Sequence, residues 1–147
     1  MSRVLLLVLF ALLAACSRGP EQQALETELR QRLEQAFPAD SLSLVTLTRR
    51  GSASDASAGP DEERLLVYFD AQLRVERDLD FGSWDSPGVA SLISALGAGP
   101  RGIGGIESGG NRQGDVLLAH GSLIYQRRDG AWQAVAPQGF SLPRAPQ

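Results

Sequence analysis

The chain has 147 residues and contains 17 acidic side chains, 14 basic ones, one His and one Cys, for a net charge of −3. Every basic residue is Arg, which excludes a phosphate-binding P-loop built on its Lys. The acidic balance also argues against nucleic acid, which rewards clustered basic residues.

In chain order, Met1-Ser2-Arg3 is followed by an unbroken apolar run from Val4 to Ala15. One positive charge, a short apolar core and a small-residue exit are the pattern of a secretory signal. The run falls short of the ~20 apolar residues a spanning helix needs. Leu13-Ala14-Ala15-Cys16 resembles the lipobox of bacterial lipoproteins. The resemblance implies cleavage before Cys16, a diacylglycerol thioether on its sulfur and a fatty amide on the new N-terminus. Residues 1–15 are thus expected to be removed, and the membrane partner is reached through the lipid on Cys16. Cys16 is the only cysteine, so no intramolecular disulfide can form. Ser17 follows where Asp would favour retention, and by resemblance to proteobacterial sorting the expected address is the periplasmic face of the outer membrane. The inner membrane is the alternative. The mature chain from Cys16 carries 13 Arg against 17 carboxylates, a net −4, over one domain's length.

Residues 16–20 read as a tether. Residues 21–37 read as an amphipathic helix, with Leu25, Leu29, Leu33 and Ala36 or Phe37 at helical spacing and Pro38 ending it. Glu26–Arg30 and Glu28–Arg32 form i,i+4 pairs expected on its solvent side. Ser41–Thr48 is a short strand, and residues 51–62 a mobile loop poor in anything to bury. From Arg64 to Phe81, apolar residues occupy one parity and polar residues the other, interrupted by Arg77. That alternation predicts antiparallel strand with one wet face, as one bent strand or two short ones. Trp84-Asp85-Ser86-Pro87 opens a second helix through Val89, Leu92, Ile93 and Leu96, and Gly97 suits its C-terminus. Residues 97–114 form a loop with eight glycines. Asp115–Arg127 reads as a strand, Asp129-Gly130 as a tight turn and Ala131–Ala136 as the returning strand, and residues 138–147 as a flexible tail. The expected fold is a single α+β domain over 21–137, an antiparallel sheet of four to five strands with two helices on one face.

The chemistry-bearing patterns are sparse. His120 lies in a strand without a second His or a free Cys, so the usual tetrahedral zinc sites cannot be assembled, and no metal or cofactor is expected. Gly97-Ala98-Gly99-Pro100-Arg101-Gly102 spells a dinucleotide-binding motif, but it follows a helix where the motif must follow a strand. No nucleophile-elbow G-x-S-x-G is present. The carboxylates of the 64–81 segment share a parity with arginines, as on a solvated sheet face. The segment that invites a ligand is 104–115. Its glycines let backbone N–H groups approach a bound group, and Arg112 could grip an anion in a fork. Asn111 lies beside it, and Trp84 and Asp85 could add a flat wall and an acceptor. A surface loop shaped by turn geometry is the plainer reading.

Three segments together resemble a known region: RLLVYF at 64–69, FGSWDSPGVASL at 81–92 and GGNRQGD at 109–115. Over about residues 40–136 the chain is similar to the small N-terminal region ahead of some TAXI-type solute-binding subunits of TRAP transporters in Gram-negative bacteria. The chain stops where the two-lobed solute-binding module would begin, so the resemblance transfers no ligand residues. It implies an envelope domain working beside transport proteins. The expected function is that of a membrane-anchored, non-catalytic interaction domain with an envelope protein partner, accessory to solute transport. A small-anion or glycan-binding module on the Gly-rich loop is the alternative, and a carboxylate-dependent hydrolase the remaining one.

Overall fold

A computed structural model describes residues 19–82 and 88–136. Helix α1 spans Gln22–Ala36, strand β1 Leu42–Ser54, β2 Arg64–Val75, helix α2 Gly88–Leu96, β3 Ile103–Gly104, β4 Val116–Arg128 and β5 Ala131–Ala134. All pairings are antiparallel, in the order β1-β2-β4-β3, with β5 also on β4. Both helices cover one face of this sheet, so the fold is α+β. No helix among the described residues is long and apolar enough to cross a membrane.

The core follows from the alternation. Leu65, Val67, Phe69, Ala71, Leu73 and Val75 of β2 are all buried, opposite Leu117, Ala119, Leu123 and Tyr125 of β4. Leu25, Leu29 and Leu33 of α1 and Leu92, Ala95 and Leu96 of α2 close that face. The chain leaves β2 after Val75. Leu79 then pairs with Asn111, and Phe81 packs edge-on against Phe37 with ring centres 6.0 Å apart. The long alternating segment is therefore one strand followed by a turn away, whose apolar residues still face the core.

Several boundaries move. The expected short strand 41–48 continues to Ser54, so the first four residues of the expected mobile loop 51–62 pair with Leu65–Tyr68. Backbone hydrogen bonds drive this extension, because none of the added residues is fully buried and they bring no apolar face for a sequence pattern to register. Two register shifts, at Val45 and Arg50, break the alternation of β1 and hide its length. Of the tether expected over 16–20, Gly19 and Pro20 lie among the described residues. Gly19 adopts φ +106°, and a Cβ there would sit 3.1 Å from Leu65 Cδ1, while Pro20 is buried. Those two residues are packed on the sheet. Arg32 does not face solvent as expected. Its Nε meets Glu28 Oε1 at 2.9 Å and its Nη2 donates to the Val135 carbonyl at 2.9 Å, tying α1 to the segment after β5.

The loop expected over 97–114 is organised. It holds a 3-10 turn at Pro100–Gly102, then β3, then the Leu79–Asn111 bridge. Gly97 takes φ +58°, and Ala98 N–H bonds to the Ile93 carbonyl, a Schellman closure of α2. Asp129 and Gly130 have φ +52° and +77°, the two left-handed residues of a type I′ hairpin. The expected cap of α2 at Asp85 or Ser86 with Pro87, and the tail 138–147, lie outside the described residues.

Candidate functional site

Among the described residues, no helix covers the other face of the sheet. Even-numbered residues of β2 and β4 form it: Leu66, Tyr68, Asp70, Gln72 and Arg74 opposite Ile124, Ser122, His120, Leu118 and Val116. Among the described residues, three of the four large hydrophobics most exposed to solvent lie here: Tyr68 at 43%, Val116 at 46% and Leu118 at 49%. Asp70, Gln72 and Arg74 share this face with them.

One polar cluster interrupts the apolar groups. The register opposes Asp70 to His120, and Asp70 Oδ1 meets His120 Nδ1 at 2.6 Å. Arg50, at the second register shift of β1, brings its Nε to 3.4 Å from Asp70 Oδ2. The hydrogen bond with His120 holds the Asp70 carboxyl below the ordinary carboxylate value, and the Arg50 charge adds to this. With a carboxylate on Nδ1, that nitrogen carries a proton, and Nε2 is left as the ring's second hydrogen-bonding atom. Thr46, Thr48 and Leu118 join the pair around a shallow depression of about 260 Å³. The arrangement orients an imidazole on a solvated surface. Strand alternation places each of the two residues on a wet face, but their separation of 50 positions hides the pairing until the register is known.

The Gly-rich segment lies at one end of the sheet. Asn111 is 2% exposed and its amide builds the loop. Oδ1 accepts from Glu107 N–H at 3.1 Å, while Nδ2 donates to the Gly105 carbonyl at 2.8 Å and to Asp115 Oδ2 at 3.3 Å. Asp115 Oδ2 also accepts from Arg112 N–H at 3.0 Å, and Asp78 Oδ1 accepts from Gln113 N–H at 2.9 Å. Carboxylates therefore already take N–H groups that an incoming anion would use. Arg112 itself is exposed. The structure thus places Asn111 in the scaffold and Arg112 on the surface of the same loop. Cys16, Trp84 and Asp85 lie outside the described residues.

The G-x-G-x-x-G letters have a packing role. A Cβ on Gly97 would lie 1.8 Å from the Ser122 carbonyl oxygen, and one on Gly102 would lie 2.7 Å from that of His120. Ser122 N–H bonds to the Gly97 carbonyl at 3.1 Å. These glycines dock the end of α2 against the edge of β4, between β3 and β5. Among the described residues no group of three or more His, Cys, Asp or Glu side chains is placed to hold a metal ion.

No family model, no characterised protein and no solved structure matches this chain.

Proposed function

We propose that this protein is a bacterial lipoprotein, anchored through Cys16 at the periplasmic face of the outer membrane, whose domain acts through protein contacts and not through catalysis. The observation that carries the interaction reading is the helix-free sheet face, with Tyr68, Val116 and Leu118 exposed around the Asp70–His120 pair. The lipobox-like Leu13–Cys16 segment supports the anchor. The resemblance of residues 40–136 to a region preceding TRAP solute-binding subunits supports an envelope transport protein as the partner.

Photocrosslinking in intact cells tests the contact. A photoreactive residue at Leu118 is expected to yield one discrete protein adduct, and the same group at Glu34 on the exposed side of α1 none. Adducts at both positions, or at neither, would reject the sheet face as the contact surface. For the anchor, Cys16→Ser is expected to abolish palmitate labelling and leave uncut precursor. Normal cutting and release of that variant would reject lipidation.

The alternative of an anion- or glycan-binding loop loses support from the engagement of Asn111 within the loop, and keeps the exposed Arg112.

A further inference from the structure

We infer that the domain stands on the membrane on the end formed by its two hairpin turns, with the Gly-rich loop at the far end. The inference rests on the lipidation of Cys16 proposed above. Its structural basis is the docking of Gly19 and Pro20.

Gly19 is seated against Leu65, with Arg49 Nη2 and Val67 close by, and Pro20 is buried. Leu65 pairs with Ser54 on one side and Tyr125 on the other, and Tyr125 pairs with Ala134. This row is the last in which β1 pairs with β2, one residue from the 55–63 turn and three pairs from the 129–130 turn. The start of α1 lies at the same end, where Glu21, Gln23 and Ala24 line a groove with Tyr125, Trp132 and Ala134. Only three residue steps separate Gly19 from Cys16. A fully extended chain covers at most about 11 Å in that distance. The anchored sulfur is therefore confined to the neighbourhood of the hairpin turns. The opposite end of β2 is roughly 36 Å away along the strand, and there Val75 exchanges backbone hydrogen bonds with the Gly114–Asp115 end of the Gly-rich loop.

Tether length sets this pose, and surface charge does not. The turns at the anchored end carry Asp55, Asp61, Glu62, Glu63 and Asp129 against Arg127 and Arg128, a net negative charge that an anionic bilayer does not attract. The broad faces are equally unsuited to lying flat. Arg50, Asp70 and Arg74 cross the open sheet face, and Arg30 and Glu34 are exposed on α1, so neither face has the continuous apolar surface of an interfacial element. A domain held at one end leaves the open sheet face and the Gly-rich loop accessible from the periplasm.

Energy transfer from the protein to the bilayer tests the pose. Cys16 is the only cysteine, and acylation would consume its thiol, so a single introduced cysteine becomes the only labelling site. The full chain is produced in a bacterial host as Asp61→Cys, Arg128→Cys or Gln113→Cys. Its acylation is checked by mass, a donor dye is attached, and the protein is reconstituted in vesicles bearing an acceptor on the lipid headgroup. All three positions are exposed. Transfer is expected to be strong at 61 and 128 and at least threefold weaker at 113. A flexible twenty-residue Gly/Ser insertion after Arg18 should reduce transfer at 61, since such a linker extends by roughly 25 Å. Equal transfer at all three positions means a flat pose, and stronger transfer at 113 an inverted one; each overturns the inference. No change on linker insertion means that surface contacts hold the domain, which overturns it too. A mature mass lacking acyl groups rejects the lipoprotein reading itself, and the pose with it.

Discussion

Asn111 shows how a single side chain can be mistaken for a ligand-binding group. Its position among glycines and next to Arg112 suggested an exposed polar grip. In the fold the amide satisfies one N–H and one carbonyl of the 105–107 backbone while almost fully buried. Asn111→Ala would leave those part-buried groups without this partner. The expected loss is about 1–2 kcal/mol of unfolding free energy, measured by urea denaturation. Arg112→Ala, at an exposed neighbour, should stay within about 0.5 kcal/mol. Equal losses would mean that the loop is held by something other than this amide. What the sequence could not reveal was direction: an Asn in a glycine-rich run satisfies the same local pattern whether it points out or in. The Asp70–His120 pair was hidden for a related reason. Alternation assigns each residue to a wet face but carries no information about which strand lies opposite.

At the scale of elements, α1, α2, β2 and β4 were legible because each buries a periodic apolar set. The capping glycine of α2 and the Asp129-Gly130 turn were legible because positive φ restricts the choice of residue. The second half of β1 was not legible, since Gly51–Ser54 bury no large side chain and are held by the ladder to β2. Close approach of elements was equally hidden. Gly121, in the middle of β4, lies beneath the end of α2, where a Cβ would come 2.1 Å from the Leu96 carbonyl oxygen and 2.8 Å from Phe69 Cζ. Gly121→Ala must push α2 off the sheet. The expected cost is about 3 kcal/mol, at the upper end of overpacking effects, seen as a lowered thermal midpoint and faster exchange of α2 amides. A variant that melts with the parent protein would show that α2 does not approach β4 this closely. Glycines that resembled a nucleotide motif in the sequence thus serve the contact between helix and sheet.

For the whole molecule, stability should depend on pH through Tyr125. Its ring is buried beneath α1, its hydroxyl has no hydrogen-bond partner, and burial, with the Glu28 charge adding to it, pushes its pKa up to about 12. In the unfolded chain the phenol titrates near its ordinary value of about 10. Between these values the unfolded chain has lost a proton that the fold still holds. Stability from this group is therefore complete below about pH 10 and lost as pH rises toward 12. Tyr125→Phe should remove that alkaline decline and cost little at neutral pH, because the hydroxyl it deletes is unpaired. Denaturation midpoints of both proteins between pH 8 and 11.5 check this, and an unchanged slope in the variant would assign the decline to other groups.

The sequence by itself determined the α+β class and its main elements, because burial along a helix or strand is written as a period of residues adjacent in the chain. It also carried the signal-like segment ending at Cys16, whose pattern is local. Only the tertiary structure decided which face stays open, that Asp70 meets His120, that the glycines at 97, 102 and 121 serve close packing, and that Gly19 and Pro20 are docked at the hairpin end. Those facts depend on strand register and on the distance between elements, and both are set by contacts between residues far apart in the chain.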